Sequence, residues 1–291
     1  MISKYEGIDK ISIAINPMFL NPFRPAGLID PTKKITLHFF GWIPTIDIHA
    51  EALDYNVDFH YQLSEVISWL IEKNVLLFPK TPITQVFVHE HLDYFVLYLR
   101  ELEFYFDFTK EQILIDKNEY DSELSIEERN FIRVGTTFYS KDFRKNKHKS
   151  KLIIYDRNEK LKHSRNKKYR EIESNEFSER LEFRLCANNC AYMHMDNIKG
   201  NYEEVFNNYL PFLSALYNIY IKNSVTFSLD DTHPNFNKII KKSKKCGTRS
   251  RNNLKKQKGR TQKFNEEQAK AEWDRIDIEL QKVASKPEIA L

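Results

Sequence analysis

Hydrophobic and polar residues alternate with a period of two in several short segments, which is typical of β-strands that bury one face. Apolar residues at helical spacing predict one helix over 62–73 and another over 201–221, interrupted by Pro211. Strands and helices are interspersed, so the chain is predicted to have an α+β fold, with a largely antiparallel sheet and helices on one face. The alternating segments are 10–16, 34–40, 101–108, 138–139, 151–156 and 180–185; a short helix is predicted over 125–131, and 91–100 fits either helix or strand.

The composition changes near residue 235, and this predicts three parts. Residues 1–235 are rich enough in apolar side chains to form a compact domain. Residues 236–263 have little apolar content and are predicted to be a basic arm or linker. Residues 264–291 are predicted to form an amphipathic helix that docks on the body or on a second copy, making a homodimer possible. Its apolar seam consists of Ala269, Trp273, Ile276, Leu280 and Val283.

The composition also excludes several classes of protein. No run approaches 18 apolar residues, so no membrane span is predicted, and the charged N-terminus does not resemble a secretion signal. Three cysteines, an odd number, favour reduced thiols and a cytoplasmic location. The seven glycines form neither of the glycine-rich phosphate-binding motifs, GxxxxGK[ST] and GxGxxG.

Positive charge is concentrated in two segments of the chain. Residues 238–263 contain twelve Lys or Arg and no Asp or Glu, and residues 141–170 have a net charge of +10. The whole chain carries only +4, so the remainder is acidic. Clustered cations displace the counterions condensed on nucleic acid, and this segregation therefore predicts a nucleic-acid partner.

Carboxylates lie on the polar side of otherwise apolar strands. Glu103 and Asp107 share one side of the segment 101–108, and Glu182 lies between Arg180 and Arg184 on another strand. Oxygen ligands that converge from neighbouring strands are suited to Mg²⁺ or Mn²⁺. A salt-bridged sheet surface would produce the same pattern, so both interpretations stay open.

Other candidate side chains are a tyrosine and two short motifs. Tyr155 lies on the same strand side as Lys151, where cations could stabilise a phenolate, although a tyrosine in a strand is more often a packing residue. His89 and His91 could share a metal ion if they lie on a strand, or they could be at an exposed strand end. Cys186 and Cys190 have no second ligand pair at zinc-site spacing and are predicted to be buried thiols.

The segment 151–160, KLIIYDRNEK, and the segment 180–185, RLEFRL, resemble a pair of motifs in the rolling-circle replication initiators of small plasmids and single-stranded-DNA phages. The resemblance covers roughly residues 100–190 and fits the branch with carboxylate metal ligands. Three features differ from the family pattern. Arg157 replaces a lysine, residues 136–140 lack a Gly-Ser pair, and Glu90 stands between the two histidines where a hydrophobic residue is usual.

The resemblance implies a metal-dependent single-strand DNA endonuclease and ligase. Tyr155 would attack a phosphodiester at a replication origin, single-stranded at the nick, leaving a 5′-phosphotyrosyl bond and a free 3′-OH, and would later rejoin the strand. Glu182, with Glu103 or Asp107, would hold Mg²⁺ or Mn²⁺, and a host helicase and polymerase would follow. Arg157 and the preceding loop would position phosphates; the loop's candidate DNA-binding residues are Lys141, Arg144, Lys145, Lys147, Lys149 and Lys151.

Two other functions stay open from the sequence. The chain could bind DNA without catalysis, with Tyr155 in the core and Glu182 in a salt bridge. It could instead be a scaffold protein that uses the C-terminal seam, with the basic arm holding a polyanionic partner.

Overall fold

The computed structural model describes residues 4–21, 27–30, 35–40, 43–77, 85–115, 131–134, 136–140, 151–162, 176–186 and 193–245. Within these ranges the chain has the predicted α+β fold, with one large antiparallel sheet of nine strands. Across the sheet the strands are β2 (Gly27–Asp30), β3 (Ile35–Phe40), β4 (Ile43–His49), β1 (Glu6–Ile15), β5 (Val96–Phe108), β10 (Glu179–Cys186), β9 (Lys151–Asp156), β8 (Thr137–Ser140) and β7 (Phe131–Val134). Strands β6 (Ile113–Ile115) and β11 (Val225–Phe227) pair separately.

Six α-helices accompany the sheet in the described ranges. They are α1 (Phe59–Glu72), α2 (Gln85–Glu90), α3 (Leu92–Phe95), α4 (Arg157–Lys162), α5 (Tyr202–Leu216) and α6 (Pro234–Lys245). A π-helical segment, Tyr217–Ile221, continues α5 directly. None of the helices in the described part of the chain is long and apolar enough to cross a membrane.

The hydrophobic core lies between one face of the sheet and the helices. The phenylalanines of β5 at positions 104, 106 and 108 point to this face because residues two apart share a side of a strand. Phe104 contacts the rings of Phe206 and Tyr209 in α5, and Phe106 lies 5.0 Å from Phe236 in α6, between ring centroids. Helix α1 adds Leu63 and neighbouring apolar residues to the same core.

Local sequence signals explain where the main helices begin. The Asp58 carboxylate accepts the backbone N–H of Tyr61 (2.8 Å) at the start of α1. Asn201 and Glu204 form a capping box at the start of α5.

The segment 91–100, which fitted either helix or strand, contains both, because α3 ends at Phe95 and β5 begins at Val96. Phe131 begins β7, whereas the rest of the helix predicted over 125–131 lies outside the described residues.

The basic segment does not begin as an arm at residue 236, as the sequence predicted. Residues 234–245 form α6, and Phe236, Ile239 and Ser243 are buried in it. The composition is misleading here because a helix needs only one apolar stripe to dock, and this stripe is diluted by lysines. Residues 246–263 and the C-terminal helix predicted over 264–291 lie outside the described residues.

Candidate active site on the charged face of the sheet

The sheet face opposite the one that α5 and α6 cover carries many charged side chains, and we call it the charged face. Antiparallel pairing places Arg184 opposite Glu103, and Arg180 opposite both Asp107 and Tyr155. Directly opposed residues in antiparallel strands share a face, so strand register alone brings these groups together. The charged face comprises Lys10 and Ser12 of β1, Asp47 of β4, Glu101, Glu103, Tyr105 and Asp107 of β5, Arg180, Glu182 and Arg184 of β10, and Lys151 and Tyr155 of β9.

Tyr155 and Glu182 form the shortest contact on this face that involves a predicted catalytic residue. The Tyr155 hydroxyl donates to Glu182 Oε1 at 2.5 Å, and the residues are 4% and 1% exposed. Burial raises the pKa of Tyr155, and the negative charge of Glu182 raises it further. The phenol is therefore protonated at neutral pH, and Glu182 is placed to accept its proton.

Positive charge also lies close to Tyr155. Arg180 faces Tyr155 across the β9–β10 pairing, and its charge acts to lower the pKa of the phenol. Lys160 of α4 lies over the Tyr155 ring, with Nζ 4.0 Å from the ring centroid. Arg180 thus offsets part of the increase in the pKa of the phenol, and Lys160 places positive charge against its ring.

Asp107 is held by two arginines. Arg180 makes a two-point contact, Nε to Oδ1 at 2.6 Å and Nη2 to Oδ2 at 2.8 Å, and Arg157 Nη1 lies 3.3 Å from Oδ2. Arg180 Nη1 also donates to Asp9 (2.8 Å), which lies at an irregularity of the β1–β5 pairing between Ile8 and Lys10. The bulge directs Asp9 toward Arg180, as bulges commonly re-aim side chains.

Glu103 is also surrounded by cations. Its Oε1 lies 2.6 Å from Arg184 Nε and 3.1 Å from Lys10 Nζ, and the Arg184 contact is an ion pair without hydrogen-bond geometry. Burial raises the pKa of Glu103 to about 7, although Arg184 and then Lys10 act to lower it. Lys10 also contacts Glu101 (2.7 Å), so a chain of alternating charges crosses from β1 to β10.

The three predicted metal ligands lie on one face, but they do not form an open set of oxygens. Asp107 is engaged by Arg180 and Arg157, Glu103 by Arg184 and Lys10, and Glu182 by Tyr155. In the described part of the chain, no group of three or more His, Cys, Asp or Glu side chains is arranged to hold a metal ion. A divalent ion does not fit unless it displaces these cations, so Mg²⁺ or Mn²⁺ at this site stays a prediction.

The predicted DNA-binding residues fall into two groups. Lys141, Arg144, Lys145, Lys147 and Lys149 lie outside the described residues. Lys151 is the first residue of β9 and is only 8% exposed; burial and then the charge of Arg184 lower its pKa. Arg157, with 34% of its side chain exposed, is more accessible than Lys151.

The histidine and cysteine motifs lie apart from Tyr155. His89 lies in the last turn of α2 and His91 follows that helix, so they are not on a strand and do not form the shared face that a strand would give. His91 stacks on Phe87, while the ring of His89 lies against those of His60 and Tyr61. Cys186 is buried as expected, and burial raises its pKa to about 12. Cys190 lies outside the described residues.

Several side chains of this face were not predicted from the sequence. Lys10, Asp9 and Asp47 come from β1 and β4, far along the chain from the motifs around Tyr155. The alternation over 10–16 gave a signal for Lys10, since it places Lys10 on the polar side, but nothing in that segment identifies its partners. Arg180 and Arg184 flank Glu182 on one face of β10, as the sequence predicted, but their shortest ion pairs are with Asp107 and Glu103, and Arg184 approaches Glu182 only to 3.8 Å.

Comparison of the chain with protein-family models, curated proteins and solved structures gives no match. The charged face is therefore the feature of this chain from which a function can be inferred.

Proposed function

We propose that this chain is a replication initiator that nicks one DNA strand through Tyr155 and later rejoins it. The observation that carries the proposal is the 2.5 Å hydrogen bond between the Tyr155 hydroxyl and Glu182. Tyrosine is a weak nucleophile at neutral pH unless a base takes its proton as it attacks. Glu182 is the group in contact with that proton.

The proposed reaction is a transesterification. Tyr155 Oη forms a bond to the scissile phosphorus as its proton passes to Glu182, and the bond between phosphorus and O3′ breaks. The departing O3′ takes up a proton and becomes a free 3′-OH, while the 5′ side stays joined to the tyrosine. Rejoining is the reverse: the 3′-OH gives up its proton to water as it attacks the phosphotyrosyl phosphorus, the bond between phosphorus and Tyr155 Oη breaks, and the phenol takes its proton back from Glu182.

The cations around Tyr155 support this chemistry. Arg180 and Lys160 lie next to the phenol and would balance charge on the bridging oxygen. The partly exposed Arg157 would hold a flanking phosphate, although part of its charge is already directed to Asp107. No step of this scheme passes through a divalent ion. The predicted role places the protein in the cytoplasm, with a host helicase and polymerase acting after it.

A second candidate function is DNA binding without catalysis. Two observations favour it: Tyr155 is only 4% exposed, and the neighbouring carboxylates are all engaged by side chains. For nicking, the phosphate must reach Oη, so DNA binding has to uncover this position. Non-catalytic binding requires no such change.

The test uses supercoiled DNA of the replicon that encodes the chain, incubated with the full-length protein. Samples contain Mg²⁺, Mn²⁺ or a chelator, and the products are examined for nicked circles and for DNA that stays attached after denaturation. Tyr155→Phe is expected to abolish the adduct. Tyr139→Phe is the matched control, because Tyr139 lies on the neighbouring strand β8, and it is expected to retain the adduct.

Each outcome leads to a different conclusion. A covalent adduct that is lost only in Tyr155→Phe supports the proposed nucleophile. Nicking that persists in this variant rejects Tyr155 but keeps the class of enzyme. DNA binding without an adduct under all metal conditions rejects nicking and favours the second candidate.

A further inference from the structure

Helix α6 presents positive charge on the side of the sheet opposite Tyr155. Its residue Phe236 contacts Phe106 and Phe108, which point to the helix-covered face. Tyr155 and Glu182 are on the charged face, as the pairing of β9 with β10 and β5 requires. The sheet therefore separates α6 from the candidate active site.

The position of α6 is fixed by contacts at its N-terminal end. The Glu6 carboxylate accepts the backbone N–H groups of Asn235 (3.1 Å) and Phe236 (3.2 Å), two donors that a helix leaves unsatisfied in its first turn. His233 Nε2 lies 2.7 Å from the backbone oxygen of Asp107 and its ring stacks on Phe108. These contacts tie α6 to β1 and β5.

The outer surface of α6 carries lysines. Lys241, Lys242 and Lys244 are exposed, while Phe236 and Ile239 face the core. Lys238 pairs with Glu203 of α5, whereas no ion pair to a described residue engages the three exposed lysines. They lie in the C-terminal half of the helix, where the helix dipole favours cations. The chain continues from α6 into further basic sequence up to Lys263.

We infer that the lysine surface of α6 binds the phosphate backbone of duplex DNA at a place separate from the candidate active site. The inference deepens the proposed function and depends on it. Cations carried by a docked helix lose less conformational entropy on binding phosphates than those of a flexible tail would. One straight duplex cannot lie on both faces of the sheet, so α6 would hold a DNA segment other than the strand at Tyr155.

The inference predicts that duplex binding and nicking can be changed separately. The variant Lys241→Gln/Lys244→Gln removes two charges one helical turn apart and keeps helix propensity, because Lys and Gln are nearly equal in this respect. The control Lys73→Gln/Lys199→Gln removes two exposed lysines at the end of α1 and before α5. Fluorescence anisotropy of a duplex without the origin sequence gives Kd over a series of salt concentrations.

The α6 variant is expected to bind the duplex more weakly, with a slope of log K against log salt smaller by about 2, since each lost phosphate contact contributes roughly 0.9. The control should keep the wild-type slope. On a short single-stranded oligonucleotide that contains the nick site, the α6 variant should form the Tyr155 adduct at the wild-type rate.

Two results would overturn the inference. Equal slopes for the α6 variant and the wild type would show that α6 is not a phosphate contact, even if nicking proceeds. A wild-type protein that binds no duplex would reject it as well. Failure of the proposed function is distinct, because it appears as absence of the adduct in the wild type with the single-stranded substrate.

Discussion

The hydroxyl of Tyr155 donates to Glu182 across the β9–β10 boundary at 2.5 Å, with both residues buried. A buried carboxylate that loses its donor bears an unsatisfied charge, which costs about 1–3 kcal/mol or more. Tyr155→Phe is therefore expected to lower the free energy of unfolding by roughly this amount, in addition to its effect on the adduct. Urea denaturation followed by circular dichroism measures the change.

A double-mutant cycle tests whether this loss of unfolding free energy comes from the contact between Tyr155 and Glu182. In a Glu182→Leu background, Tyr155→Phe should cost much less, because no buried charge is left unpaired. Equal costs in both backgrounds would mean that the two side chains do not interact as described.

The free energy of unfolding is expected to fall even when Arg180 is replaced by a residue of the same charge. Its guanidinium binds both oxygens of Asp107 and also Asp9, and a lysine ammonium cannot reproduce this forked geometry. Breaking a buried ion pair costs roughly 3–5 kcal/mol, and Arg180→Lys should approach that range. The exposed Arg133→Lys serves as control and should stay within about 0.5 kcal/mol of the wild type. Similar midpoints of urea denaturation for Arg180→Lys and Arg133→Lys would contradict the prediction.

Glu6 is expected to make stability depend on pH near neutrality. Burial raises its pKa from 4.5 to about 7, although the N–H groups of Asn235 and Phe236 act to lower it. Between these two values the folded chain holds a proton that the unfolded chain has released. The contribution of Glu6 to stability must therefore fall as the pH rises from 4.5 to 7.

Melting temperatures of the wild type and Glu6→Gln over this pH range test the prediction. The variant cannot ionise at this position, so its melting temperature should fall less between pH 4.5 and 7. Glu65→Gln, an exposed position on α1, should follow the wild type. Parallel curves for all three proteins would show that Glu6 does not change its protonation on unfolding.

Gly7 is expected not to tolerate a side chain. A Cβ atom at this position would lie 2.4 Å from the Tyr55 hydroxyl and 2.8 Å from two ring carbons, closer than packed atoms approach. The Tyr55 ring has little freedom to move, because its hydroxyl accepts from the backbone N–H of Ile8 and donates to the Ile8 carbonyl. Gly7→Ala should cost about 1–3 kcal/mol, as overpacking commonly does.

A second background identifies the cause of this cost. In a Tyr55→Leu protein, the penalty of Gly7→Ala should be clearly smaller, since the ring that occupies the space is gone. A penalty that does not change with the Tyr55 substitution would assign it to the backbone of β1 instead. Thermal denaturation of the four proteins supplies the comparison.

Local patterning was sufficient for the elements that build the candidate site. The alternation over 151–156 and 180–185 places Tyr155 and Glu182 on the polar sides of two strands, and the structure has strands there. Period-two alternation is a property of the backbone, so a short window of sequence contains it. The α+β class and the position of α1 followed from the same kind of signal.

Other features depended on partners distant in the sequence. Composition alone suggested an arm at residue 236, and only the contact of Phe236 with Phe106 and Phe108 converts this segment into a docked helix. Arg180 and Arg184 lie two residues away from Glu182 on the same side of β10. Directly opposed residues on neighbouring strands are closer than that, and Arg180 and Arg184 therefore bind Asp107 and Glu103.

Strand order and register, which no single segment specifies, decide which charges meet. Asp107 is on β5, while its partners Arg180 and Arg157 follow it by 73 and 50 residues. Their pairing exists because β10 lies between β5 and β9, an order in which the apolar sides of all three strands join one hydrophobic core. The segments themselves determined which residues would be polar and which apolar on each strand. The assembled sheet decided that Tyr155 would meet Glu182 and that the other two predicted metal ligands, Glu103 and Asp107, would be held by arginine and lysine.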